Sequence, residues 1–200
     1  YCLNNQNPGS FTCEQNILPD AILNIINTAE YDDFLECYII ITMIKIIACG
    51  KLKEKWMKDG VAEYVKRIRP YDKLEVIEVQ DEKAPETNSV AENEQVKVVE
   101  GQRILKNIPD DEYVILLDLA GMDIDSIALA NKIQDCYNHA RSKITFVIGG
   151  SLGLSNELIQ RADFRWRISK VTFPHQLCRI LVVEQIYRSF RILHNEPYHK

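Results

Sequence analysis

The sequence predicts an α/β protein, built on a mostly parallel sheet with helices on both faces. Three observations carry this. From Met43 onward, short apolar runs alternate with longer segments of helical periodicity. The run from Tyr113 is apolar on both faces until Asp118, as a central parallel strand requires. The 200 residues are 46% hydrophobic and 26% charged, with only 8 Gly and 7 Pro. That composition suits an ordinary folded chain and excludes a disordered or collagen-like one.

The elements follow in order. Met43-Ile44-Lys45-Ile46-Ile47-Ala48-Cys49-Gly50 reads as a strand ending in a turn. Residues 51–69 are amphipathic, with Leu52, Trp56, Tyr64 and Ile68 among the apolar positions, and Pro70 ends that helix. Residues 74–79 form a second strand, 81–90 a polar loop, and 91–108 a helix charged in its first half. The third strand covers 113–119, and a helix covers 126–140. Residues 143–148 form a fourth strand that ends at Gly149-Gly150. Ser155 is placed to cap a helix running through Ala162. A short fifth strand covers 164–169, and Pro174 opens the longest helix, which runs to about His194.

Residues 1–42 differ from the rest. They hold six acids and no Lys or Arg, and their one helical-looking stretch, 20–29, is short. Met43 reads as a start, so 1–42 is expected to be an appendage and 43–200 the working domain. The formal net charge of −5 hides an uneven distribution: from Arg141 onward there are ten bases and four acids. This C-terminal region is able to face phosphates. The longest apolar stretch, 38–49, is interrupted by Thr42 and Lys45 and is too short to span a bilayer. No signal peptide is expected. The six Cys (Cys2, Cys13, Cys37, Cys49, Cys136 and Cys178) include no pair at metal-ligand spacing. The sequence therefore predicts no metal, a reducing cytoplasmic setting and no membrane partner.

Common chemical motifs fail. Neither a phosphate-binding P-loop nor a dinucleotide-binding glycine pattern occurs. Leu116-Leu117-Asp118-Leu119-Ala120-Gly121 resembles the first motif of Rossmann-type methyltransferases, but it lacks the following glycines and lies mid-chain. Gly149-Gly150-Ser151-Leu152-Gly153 matches the G-x-S-x-G of a nucleophile elbow. The elbow reading is rejected because the helix cap falls at Ser155, four residues after the serine, and no glycine-rich oxyanion segment precedes it. The glycines then indicate a tight turn and close backbone approach.

Several longer motifs occur together in one order. They are Gly50-Lys51-Leu52-Lys53-Glu54-Lys55, Asp81-Glu82-Lys83-Ala84-Pro85-Glu86, Phe146-Val147-Ile148-Gly149-Gly150-Ser151, Thr172-Phe173-Pro174-His175-Gln176 and Glu196-Pro197-Tyr198-His199-Lys200. In these, residues 43–200 resemble the ribosomal RNA large subunit methyltransferase H family. The resemblance implies a trefoil-knotted SPOUT fold and a homodimer. It implies S-adenosylmethionine as the methyl donor and N3 of a pseudouridine in a stem-loop of 23S rRNA, within assembled ribosomes, as the acceptor. A silent RNA-binding or ribosome-assembly factor on the same fold is the alternative.

Carried onto this chain, the resemblance gives Leu117, Gly149, Ile168, Ser169, Lys170, Val171, Thr172 and Phe173 as cofactor positions. All lie at or near predicted strand ends, where open α/β sheets bind ligands. His199 is the candidate acceptor of the N3 proton. Tyr198 is the candidate to stack on or hydrogen-bond the base, and Arg179 to bind phosphate or a developing oxyanion. Lys51, Lys53, Lys55, Arg188, Arg191 and Lys200 are the further candidates for RNA contact.

Overall fold

The computed structural model describes residues 42–83, 89–139 and 141–199. Expectations for residues 1–41, for Ala84, Pro85 and Glu86 of the second motif, and for Lys200 lie outside these.

Ten elements alternate along the chain. They are β1 (Met43–Cys49), α1 (Lys55–Ile68), β2 (Lys73–Val79), α2 (Val90–Leu105) and β3 (Tyr113–Asp123), then α3 (Ser126–Asn138), β4 (Lys143–Ile148), α4 (Asn156–Arg161), β5 (Phe164–Arg167) and α5 (His175–Leu193). The strands form one sheet in the order β2-β1-β4-β3-β5, and every pairing is parallel. Successive strand side chains point to opposite faces, which divides the core in two. Ile44, Ile46, Ile115, Ile144 and Phe146 pack beneath α1, α3 and α5. Ile47, Cys49, Val114, Leu116 and Val147 pack beneath α2 and α4.

Local chemistry explains where the helices start. Ser155 caps α4 by accepting from the Leu158 N–H at 3.3 Å, and Asp125 caps α3 by accepting from Ala128 N–H at 2.7 Å. α1 begins at Lys55, four residues later than the sequence predicts. Leu52 N–H donates to Glu78 Oε1 at 2.9 Å and Lys53 N–H to Gln176 Oε1 at 3.3 Å. Side chains from β2 and α5 thus satisfy the backbone donors of the segment that precedes the helix.

One charged cluster is buried where the strands begin. Lys45 of β1 donates to Glu112 at 2.6 Å, and their side chains are 8% and 2% exposed. Lys45 also reaches the Asn107 carbonyl at 3.2 Å, and the Thr145 hydroxyl donates to the second Glu112 oxygen. No helix among the described residues is long and apolar enough to cross a membrane.

Candidate functional site

The C-terminal ends of β3, β4 and β5 open into a cleft of about 760 Å³, within the usual range for small-molecule sites. Three local features build it. First, Leu117 and Met122 of β3 both register with Trp166 of β5. Asp118, Leu119, Ala120 and Gly121 are therefore pushed out of the ladder, and the first three of them line the cleft. Gly121 allows this, because a Cβ there would stand 2.6 Å from the Arg165 carbonyl oxygen. The Asp118 carboxylate fixes the excursion, accepting from Ala120 N–H at 2.9 Å and from Arg165 at 2.6 Å.

Second, the turn after β4 brings backbone to the cleft wall. Gly150 and Gly153 form an isolated antiparallel bridge, and Gly153 has φ +105, a region that favours glycine. A Cβ on Gly149 would lie 2.6 Å from Leu154 Cδ2, and one on Gly150 would lie 2.2 Å from a Glu100 oxygen. Ser151 is a turn residue here, separated from α4 by the capping Ser155. Third, the segment after β5 closes the remaining side. The Ser169 hydroxyl accepts from Val171 N–H at 3.0 Å, folding the strand end back toward α5.

Leu117, Gly149, Ile168, Ser169, Val171, Thr172 and Phe173 all line this cleft. Lys170 does not. The sequence pointed less directly to Asp118, Arg165, Arg167, His175 and Cys178, which also line it. The alternating pattern of Phe164-Arg165-Trp166-Arg167 was the available signal for the two arginines. Each is matched by an aspartate: Arg165 by Asp118 at 2.6 Å, and Arg167 by both oxygens of Asp123 at 2.6 Å. The hydrogen bond from Arg167 holds the Asp123 carboxyl below the ordinary range. Burial, reinforced by Arg179, pushes His175 below its ordinary value and favours neutral imidazole at the cleft. Burial pushes the Cys49 thiol up to about 12 and that of Cys136 to about 11, so both behave as small hydrophobes.

Arg179 departs from the expected phosphate-binding role. Its side chain is 1% exposed and pairs with Glu78 at 2.6 Å. It also donates to the carbonyls of Cys49 at 2.7 Å and Gly50 at 2.5 Å. It braces the end of β1 against α5, with no surface left to meet RNA. Arg188 is paired with Glu184 and Arg191 with Glu196, each at 2.6 Å, whereas Lys51, Lys53 and Lys55 are exposed.

The tail lies elsewhere. Tyr198 donates to Glu184 at 3.2 Å, and its ring stands 5.0 Å from that of Tyr187. His199 Nδ1 is 3.5 Å from Arg188. Nine residue steps of helix separate Tyr187 from Cys178 at the cleft, about 13 Å at 1.5 Å per residue. One protomer therefore does not bring the tail and the cleft together.

Residues 42–199 match the family described as "Predicted SPOUT methyltransferase", and the chain belongs to the SPOUT methyltransferase family. Among its relatives, the "Ribosomal RNA large subunit methyltransferase H" of Carboxydothermus hydrogenoformans is 52% identical over 157 residues, which is 78% of this chain and 99% of that protein. The protein of the same name from Alkaliphilus oremlandii is 54% identical over the same shares. A "Putative ribosomal RNA large subunit methyltransferase H" from Methanococcus maripaludis is 51% identical, again over 78% of this chain and 99% of its own. A cleft of apolar walls with exposed backbone, at strand ends of a family of methyltransferases, fits a methyl donor.

Proposed function

We propose that this chain methylates N3 of a pseudouridine in a stem-loop of 23S rRNA, using S-adenosylmethionine, in assembled ribosomes of the cytoplasm. The observation that carries the reading is the cleft itself. Seven of the eight positions implied by family resemblance converge on it although they come from three separate stretches of sequence. The trefoil threading of the SPOUT fold is part of the same reading.

The cofactor would lie with its apolar parts against Leu117, Val171 and Phe173, and with its polar edges toward backbone at Gly149 and the 168–173 segment. Pairing of Arg165 and Arg167 with aspartates keeps uncompensated positive charge away from a cationic sulfonium. When bound, the cofactor supplies an already electrophilic methyl group. The protein's task is then alignment of the base with that methyl at near-attack distance. Tyr198 positions the base, and His199 accepts the N3 proton.

Because the tail is remote from the cleft of its own protomer, we infer a homodimer in which one copy's tail completes the other's cleft. The half-buried apolar positions Leu177, Ile180 and Leu181 on α5 support this, since a helix with apolar residues on several sides needs cover on each. Exposed Lys51, Lys53 and Lys55 supply attraction to the rRNA backbone. Calorimetric titration with S-adenosylmethionine tests the reading at its base. Binding is expected for the parent chain and loss of binding for Gly149→Val, whose side chain has no room at the wall. Equal affinity in both removes this cleft from the cofactor site.

A further inference from the structure

Glu196, in the segment that follows α5, is held by two side chains: Tyr71, which lies 125 residues earlier, and Arg191, in the last turn of α5. Glu196 Oε2 accepts from the Tyr71 hydroxyl and pairs with Arg191 Nη1 at 2.6 Å. Arg191 Nη1 also donates to the Tyr71 oxygen at 3.2 Å. The Tyr71 ring lies stacked on Phe190 at 5.5 Å with an interplanar angle of 5°, and against His194 at 4.9 Å. The triangle joins the turn after α1, the last turn of α5 and the tail.

Ending the helix does not require this triangle. Asn195 takes the left-handed conformation with φ 53. Its N–H donates to the Ile192 carbonyl at 3.0 Å, and the Glu196 N–H to the Arg191 carbonyl at 2.9 Å. That is a complete Schellman termination. What it leaves open is the direction in which the chain departs. Pro197 fixes its own φ and restricts Glu196 to extended conformations, and the Tyr198 N–H is tied to the Glu196 carbonyl at 2.9 Å. Once the Glu196 side chain is anchored, the path to Tyr198 and His199 has little freedom.

We propose that Tyr71, Arg191 and Glu196 form a clamp that orients the tail, making Glu196 a positioning residue for methyl transfer. The inference rests on the proposed function, in which Tyr198 and His199 act on the base. The clamp sets their approach and touches neither substrate nor cofactor.

The test uses the full chain and four variants: Glu196→Ala, Glu196→Gln, Tyr71→Phe and His199→Ala. Amide hydrogen exchange at Tyr198, whose N–H is bonded to the Glu196 carbonyl, reports the clamp, and kcat and KM for ribosomes lacking the methyl group report its use. In Glu196→Ala, tail exchange should accelerate at least tenfold and kcat should fall at least tenfold, with S-adenosylmethionine affinity within twofold of parent. Glu196→Gln keeps an acceptor for Tyr71 and should recover most of kcat. Tyr71→Phe keeps the stacking on Phe190 but loses the hydroxyl, and should fall between the two. Parental tail exchange in Glu196→Ala overturns the clamp. Accelerated exchange with parental kcat overturns its positioning role. Parental kcat in His199→Ala refutes the functional reading of the tail, while exchange still decides whether the clamp exists.

Discussion

Gly121 gives the sharpest test of how the cleft is built. In Gly121→Ala the new Cβ would lie 2.6 Å from the Arg165 oxygen, 2.7 Å from its carbonyl carbon and 2.9 Å from Trp166 N. All three are backbone atoms, so no side-chain rotation relieves the contact. Ordinary van der Waals contact begins near 3.4 Å, so the β3 excursion must lift from β5 by about 0.8 Å. Asp118 rides on that excursion and its bond to Arg165 must stretch with it. Overpacking of this kind costs about 1–3 kcal/mol. For a domain of this size each kcal/mol lowers Tm by roughly 2–4 °C, so a drop of about 2–12 °C is expected. S-adenosylmethionine affinity should fall by about tenfold or more, as even 1.4 kcal/mol of distortion at the wall is a factor of ten. Gly60→Ala is the matched control. Gly60 lies within α1, and its Cβ would meet only Ile180 Cδ1 at 3.8 Å. Relief of glycine's helix penalty should stabilise that variant by about 0.5–1 kcal/mol. Calorimetric melting and donor titration of both proteins decide the matter. A Gly121→Ala protein with parental Tm and affinity would refute the proposed role of this close approach.

Three further outcomes are expected. Lys45→Met leaves the Glu112 carboxylate buried without its cation and should cost about 3–5 kcal/mol in denaturant unfolding, whereas Lys45→Met with Glu112→Leu should recover most of that loss. His175 has a folded-state pKa below its unfolded value of 6.5, so the unfolded chain takes up its proton first. Its contribution to stability is complete above pH 6.5 and declines as pH falls below that value, and His175→Gln should flatten the stability profile between pH 7 and 5. A chain starting at Met43 should melt and methylate like the full chain, since the acidic residues 1–42 offer rRNA no attraction. A truncated protein that loses stability would place part of that segment in the core, and one that gains RNA affinity chiefly at low salt would make it an electrostatic shield.

Much of the frame was legible because its causes are local. The alternation of Ile44, Ile46 and Ala48 against Ile47 and Cys49 follows strand period, and the two sets do pack on opposite faces. Ser155 acts on a neighbour three residues away, which is why its cap could be read directly. Arg179 could not be read in this way. Its partner Glu78 lies 101 residues earlier, and a buried brace and a phosphate-binding arginine look alike in sequence. The β3 excursion was hidden for the same reason: Asp118 to Gly121 read as a strand and its turn, and only the return to Trp166 shows that the strand resumes. Family resemblance supplied the tail residues, but their distance from the cleft is a tertiary fact, fixed by where α5 ends and by contacts to Tyr187 and Glu184.

The most direct measurement incubates the protein with methyl-labelled S-adenosylmethionine and ribosomes lacking the modification, followed by mass spectrometry of the digested RNA. Methyl transfer to a defined atom predicts one methyl group per ribosome, on N3 of a pseudouridine of the large-subunit rRNA. A protein that binds the donor yet leaves the RNA unlabelled, or that labels a different atom, would contradict it.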